Sequence, residues 1–171
     1  MESALAEGKI HAALGYFPYL RRPVERQRLF EASVRCFFSN RLVTVPSPVT
    51  LEALSAHPHI VAIYVGESLG MLDQALQRKG LVRRVMASTS SLLALPPLLE
   101  RLPVLAVLPG FLASCMPRVH SSIRSEPIHM DSLSIPVDVL WHPQSGEMEL
   151  TRFFLDVLWD VIQSLKPQLE G

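Results

Sequence analysis

The sequence predicts an α/β fold, and three observations predict it. Short β-branched, apolar runs alternate with runs whose apolar residues recur at helical spacing. Glycines and small hydroxyls follow directly on strand-like runs: Gly15 before Tyr16-Phe17, Gly66-Glu67-Ser68, Ser88-Thr89-Ser90, and Pro109-Gly110. In sheets built this way, ligands sit beyond the carboxyl ends of strands, at such turns. Finally, 171 residues with 49% hydrophobic content suffice for one domain or two small lobes.

The elements read in order as follows. "ESALAEG" is the end of a helix closed by Gly8, and "KIHAALGYF" is a short buried strand ending in a glycine turn. "VERQRLFEASVRCFFS" carries two strand-like halves, the second from Val34 to Phe38. "VPSPVTLEALSAHP" is a loop and then a helix with Thr50 as N-cap; "HIVAIYV" is a strand. In "SLGMLDQALQRKGL", Leu69, Leu72, Ala75 and Leu76 share one helical face and Gly80 closes the helix. "VRRVMAS" is a strand, and "TSSLLALPPLLERL" a helix broken at Pro96-Pro97. "VLAVLP" is a strand and "GFLASCM" a short helix. "EPIHM" and "IPVDVLWHP" are strands. The closing "MELTRFFLDVLWDVIQSL" is a long amphipathic helix, expected to pack through Leu150, Phe154, Val157, Leu158, Val161 and Leu165. The alternation predicts a largely parallel sheet.

Bulk properties exclude several classes. Sixteen basic and sixteen acidic residues cancel, so no electrostatic drive toward nucleic acid or an anionic membrane exists, and direct DNA contact by this chain is not expected. The apolar runs are too short for a transmembrane helix, and no signal peptide is visible, so a cytoplasmic location is expected. Cys36 and Cys115 read as free thiols of a reducing compartment, although pairing stays open. No histidine or carboxylate spacing suggests a metal site, and no cofactor is implied.

One motif is sharper. "GESLG" (66–70) has the G-x-S-x-G pattern of a hydrolase nucleophile elbow, in a strand-to-helix context. The chain order Ser68, then Asp131 or Asp138, then His142 formally completes a serine hydrolase. Asp138 and His142, however, are four apart on one strand, about 13 Å along it, which is too far for a hydrogen bond. No upstream loop offers a second oxyanion donor, and little chain precedes Ser68. The reading is therefore non-enzymatic, with the hydrolase as a remote alternative.

The ordered set of segments resembles the effector-binding domain of LysR-type transcriptional regulators, most closely the branch with the nodulation and nitroaromatic-sensing regulators. "LAEGKIHAALGYFP", "RQRLFEASVRCFFS", "VTLEALSAHPHIVAIYVGES", "LDQALQRKGLVRRVMASTSSLLALPPLL", "LPVLAVLPGFLA", "IPVDVLWHP" and "TRFFLDVLWDVI" carry the resemblance over nearly the whole chain. It implies a two-lobed, periplasmic-binding-protein-like (type 2) fold with two crossover strands and an incomplete first lobe. Lobe one would be 1–64 plus 136–171, lobe two 65–135, and the crossovers "HIVAIYV" and "IPVDVLW". The family's helix-turn-helix, its linker helix and the opening strand of lobe one have no counterpart in this sequence.

The resemblance further implies a small effector, aromatic or carboxylated, held between lobes in a homo-oligomer. Ser68 with the amides of Gly66 and Glu67 would hold an anion at a helix N-terminus. Ser88 and Thr89 would do the same across the cleft. Tyr16 and Phe17 would form one apolar wall and Trp141 another. The same residues have plain structural roles: serines cap helices, and Trp141 fills cores. A stand-alone binding or interaction fragment without a DNA-binding role is the other reading.

Overall fold

The structure, a computed structural model, describes residues 1–17, 19–20, 24–62, 70–130, 134–146 and 148–169. It divides into two compact units, residues 1–32 with 134–171 and residues 33–133. The first division falls within a strand, about thirty residues before the expected boundary at 64/65. The second, at 133/134, lies close to the expected 135/136. The reason is in the strand itself. β2 (Glu25–Ser39) runs unbroken for 15 residues, where the sequence suggests two halves. Its early residues belong to one unit and its late residues to the other.

In the first unit, α1 (Glu2–Ala6) ends in a Schellman arrangement. Gly8 adopts φ +67, its amide donates to the carbonyl of Leu5, and the Lys9 amide donates to that of Ala4. β1 (Ala12–Gly15) pairs antiparallel with β7 (Ser134–Trp141), Ala12 opposite Trp141 and Gly15 opposite Asp138. Leu5, Ala13 and Leu140 form a small core, with Ile10, Phe17, Leu20 and Val24 packed against it. After β7 come the single turn α6 (Pro143–Gly146) and the long helix α7 (Glu149–Leu169).

The second unit is layered, and the strand alternation shows how. Late in β2, Cys36 and Phe38 point to one side and Phe37 to the other. β5 (Ala106–Pro109) pairs antiparallel with β2, and β6 (Ile123–Pro127) does so as well. Against one side lie α2 (Leu51–Ala56) and α3 (Met71–Arg78), through Leu51, Leu54, Leu72 and Leu76. Against the other lie α4 (Leu95–Leu99) and α5 (Met116–Val119), through Leu95, Leu99 and Met116. β3 (Pro58–Ala62) pairs parallel with β4 (Arg84–Thr89) and bridges in parallel to Leu105 through His59. Among the described residues β3–β4 pairs in parallel, whereas β1–β7, β2–β5 and β2–β6 pair antiparallel. The expectation of a largely parallel sheet is thus corrected, because the strands around β2 run opposite to it.

Local signals read from sequence sit where expected. Thr50 Oγ1 accepts from the Ala53 amide at the start of α2. Gly80, at φ +70, ends α3, with the Leu81 amide donating to the Leu76 carbonyl. Pro96 and Pro97 fall in the first turn of α4, where a missing N–H costs nothing, so the irregularity lies before them, in a 3-10 turn at Leu92–Ala94.

α7 departs from expectation. Its best-buried positions are Thr151 and Ile162, flanked by half-buried Leu155 and Leu158. Of the expected packing face, only Leu158 belongs to this side; Leu150, Phe154, Val157, Val161 and Leu165 are exposed. The helix carries two neighbouring apolar stripes, and the structure buries the less obvious one.

Candidate functional site

In the second unit, Ser88 and Thr89 end β4, with Ser88 exposed and Thr89 half-buried. Thr89 Oγ1 accepts from the Ser91 amide at 3.0 Å, closing a turn into the 3-10 segment. Both hydroxyls thus stand at the carboxyl end of a parallel strand, the position at which such sheets present ligands. Thr89 Oγ1 also donates to the Ser91 carbonyl over a long 3.4 Å, a bond that an anion would replace, and Ser88 faces water. Gly66, Glu67 and Ser68 lie outside the described residues, as does the turn that holds them.

In the first unit, Tyr16 and Phe17 follow β1. Phe17 packs on the Leu5–Ala13–Leu140 core, with its ring 3.7 Å from where a Cβ on Gly15 would stand, and Gly15 adopts φ +153. Tyr16 is partly exposed. Trp141 is not beside them. The antiparallel register sets it opposite Ala12, three residue pairs from Gly15, about 10 Å along the ladder. The structure therefore joins Tyr16 with Phe17 but sets Trp141 at the other end of β1.

What does lie opposite Gly15 is a charged cluster that the sequence reading did not assemble. Asp138, whose side chain is 0% exposed, accepts from Arg26 Nε at 2.9 Å and Nη2 at 2.5 Å, and from Arg28 Nε at 2.5 Å. Arg28 also pairs with Glu31, which accepts from the Ser134 hydroxyl. Charge-assisted bonds to Asp138, and the negative charge of Asp138 and Glu31, hold the Arg28 guanidinium above its ordinary range. The partners are 110 and 112 residues apart in the chain, and no local pattern reveals them. This cluster also bears on the hydrolase alternative. Asp138 is committed to two arginines, and His142 Nδ1 accepts from the Gln144 amide at 3.3 Å, so the proposed acid and base serve other partners.

A cavity of about 320 Å³ opens near the other end of β1, lined by His11, Ala12, Leu150, Thr151 and Phe154. Its wall is mostly apolar, and the buried Thr151 hydroxyl has no hydrogen-bond partner among the described residues. None of the expected site residues lines it. In the second unit, His59 is wholly buried, its Nδ1 donating to the His57 carbonyl at 3.1 Å and its Nε2 without a partner among the described residues. Burial, then the positive charge of Arg83, pushes its pKa down to about 4, so the ring is neutral. Among the described residues, no group of three or more His, Cys, Asp or Glu side chains is placed to hold a metal ion. No helix there is long and apolar enough to cross a membrane.

Comparison with known proteins places this architecture. The HTH-type transcriptional activator NagR of Ralstonia sp is 24% identical over 162 residues, covering 92% of this chain and 53% of that protein. The HTH-type transcriptional activator NahR of Pseudomonas putida is 26% identical over 140 residues, covering 81% of this chain and 46% of that protein. The chain thus spans about half the length of the curated relatives it matches. Among solved structures, the regulatory domain of MexT, a transcriptional activator in Pseudomonas aeruginosa, superposes with a TM-score of 0.79 at 19% identity. That match covers 93% of this chain and 78% of that domain and shows a shared fold. The model of the LysR substrate binding domain matches residues 1–163, and the chain belongs to that family.

Proposed function

We propose that the chain is the effector-sensing part of a transcriptional regulator, binding a small aromatic or carboxylated compound and passing its occupancy to an oligomer. The observation that carries this is the family match over residues 1–163, in a fold that sets two hydroxyls at the end of β4. The two curated relatives are themselves transcriptional activators. In this reading, Ser88 and Thr89 donate to an anionic group of the effector in the second unit. Gly66, Glu67 and Ser68 add amide and hydroxyl donors. Tyr16 and Phe17 offer an apolar surface in the first unit, and Trp141 a further one. The protein contributes no bond-breaking chemistry; a ligand that favours one conformation shifts the population toward it. The surrounding regulator would be cytoplasmic and homo-oligomeric, with DNA contacts supplied outside this sequence.

The test is thermal unfolding with a panel of aromatic and aliphatic carboxylates. An effector at 100 times its dissociation constant stabilises by about 2.7 kcal/mol, roughly 5–10 °C in Tm for a chain of this size. Thr89→Val together with Ser88→Ala should remove most of that shift, while lowering the ligand-free stability only by the lost Thr89–Ser91 turn bond, about 1 kcal/mol. A folded protein whose Tm no carboxylate moves would defeat the reading, and so would a shift that the double variant leaves intact.

A further inference from the structure

Thr151 is the best-buried of the described residues in α7, at 1% exposure, and its hydroxyl has no hydrogen-bond partner among the described residues. A threonine within a helix ordinarily turns its hydroxyl to a carbonyl three or four residues back. Thr151 stands in the first turn of α7 and makes no such bond among the described residues. A buried hydroxyl left unpaired is costly, so its surroundings matter. It borders the 320 Å³ cavity, between the start of β1 and the first turns of α7.

Size and polarity narrow the occupant. An apolar cavity of about 150 Å³ holds a benzene ring, so this one has room for a substituted benzene or a fused pair of rings. Ala12, Leu150 and Phe154 supply carbon walls, and the Phe154 ring offers its edge or face to an aromatic guest. A water stays in a cavity when it finds about two to four polar partners. The buried wall gives one hydroxyl, while His11 is exposed. An organic molecule with a single polar atom therefore fits better than water.

Charge decides the rest. The amino end of α7 carries about half a positive charge, which favours an anion. Glu149, in the same turn, brings a full negative charge and more than offsets it. No lysine or arginine among the described residues lines the cavity, and Lys9, shortly before His11, is paired with Glu7. A carboxylate entering here would lose water without gaining a counter-charge, whereas a neutral O–H or N–H group loses far less.

We propose that the cavity is a second small-molecule site, built from the first unit alone and selective for a neutral aromatic molecule bearing one hydroxyl or N–H group. The ring lies among Ala12, Leu150 and Phe154, and the polar atom bonds Thr151 Oγ1. A hydroxyl both donates and accepts, so Thr151 takes a phenol O–H or an indole N–H alike. The site uses none of the residues assigned to the effector, and the inference stands whether or not Ser88 and Thr89 bind an anion.

The test is calorimetric titration of the whole chain with phenol, indole, toluene and benzoate, with amide shifts by NMR to place each compound. Phenol and indole should bind one per chain, moving the amides of Ala12 and Thr151 and leaving those of Ser88 and Thr89 still. Thr151→Val keeps the shape of the side chain and removes an unpaired hydroxyl, so the fold should hold. It should weaken phenol and indole about tenfold and leave toluene unchanged, whereas a packing role alone would weaken all three alike. Ala12→Leu fills the cavity and should abolish binding with an unchanged circular dichroism spectrum. Phe154→Ala, at an exposed helix position, removes one wall without touching β1 and should weaken all three. No saturable binding of phenol or indole would overturn the proposal and leave the cavity to water. Benzoate displacing phenol from the same amides, shifts confined to Ser88 and Thr89, or equal losses for phenol and toluene in Thr151→Val would overturn it equally.

Discussion

Arg26 binds the fully buried carboxylate of Asp138 through two nitrogens, Nε at 2.9 Å and Nη2 at 2.5 Å, and Arg28 adds a third bond. The arrangement is asymmetric. Both guanidinium groups are more than a third exposed and rehydrate readily if the carboxylate is lost; the carboxylate cannot rehydrate if they are lost. Deleting the buried ion should therefore cost little, and stranding it should cost much. Asp138→Leu should destabilise by about 1 kcal/mol, whereas Arg26→Ala combined with Arg28→Ala should cost about 3–5 kcal/mol. Urea unfolding of the two variants decides it. Equal losses would show that the carboxylate finds other solvation.

His59 supplies a pH signature. In the unfolded chain its imidazole titrates near 6.5, and in the fold near 4, lowered first by burial and then by Arg83. The folded state takes up its proton later than the unfolded state as pH falls. Stability from this group is complete above about pH 6.5 and declines as pH drops toward 4, by at most about 1.4 kcal/mol per pH unit. His59→Phe should flatten the stability–pH curve over that window, measured by chemical denaturation from pH 7.5 to 4. A wild-type curve already flat there would mean that the ring is solvated.

The two cysteines should differ in reactivity. Cys36 is buried in β2, where burial first and the charge of Glu126 second push its thiol up to about 12. Cys115 is exposed, with its Sγ 3.3 Å from the Leu112 carbonyl. Because the thiolate is the reacting form, a disulfide reagent at pH 8 should titrate one thiol quickly in the native protein and the second only in denaturant. Cys115→Ser should abolish the fast phase. Two fast equivalents would contradict the packing around Cys36.

What was legible in the sequence is largely what is local. The glycine ends of α1 and α3 and the Thr50 cap depend on a few adjacent residues, and each was visible. The sequence suggests two halves for β2 because its exposed early residues and buried late residues look like different strands, whereas one strand serves two units. Tyr16 and Phe17 are read as one apolar wall and Trp141 as another, and where Trp141 stands relative to β1 is not local information. The antiparallel register, a property of two distant segments, sets Trp141 opposite Ala12. The Arg26–Arg28–Asp138 cluster joins residues more than 100 positions apart, so no spacing could announce it. On α7 the apolar residues fill two neighbouring stripes, and hydrophobicity alone does not say which one packs.

A second buried pair offers a stricter electrostatic test. Asp73, in the first turn of α3, is held by Arg83 just before β4, Nε to Oδ1 at 3.0 Å and Nη2 to Oδ2 at 2.5 Å. Both side chains are nearly covered, at 10% and 13% exposure, so neither rehydrates well alone. Asp73→Ala or Arg83→Met should each cost about 3–5 kcal/mol, since each leaves one buried charge unpaired. The double variant Asp73→Ala with Arg83→Met should cost less than either single change, giving a coupling of at least about 3 kcal/mol. Arg83→Lys should not rescue the single loss, because an ammonium cannot reproduce the two-pronged contact. Arg83→Met should also raise the pKa of His59, whose depression owes part of its size to that guanidinium, and so move the acid limb of its titration toward 6.5. A double-mutant cycle by urea unfolding, with imidazole titration by NMR in the same variants, reads both effects. Additive losses with an unmoved His59 would mean that the pair is solvated and independent of the β3 core.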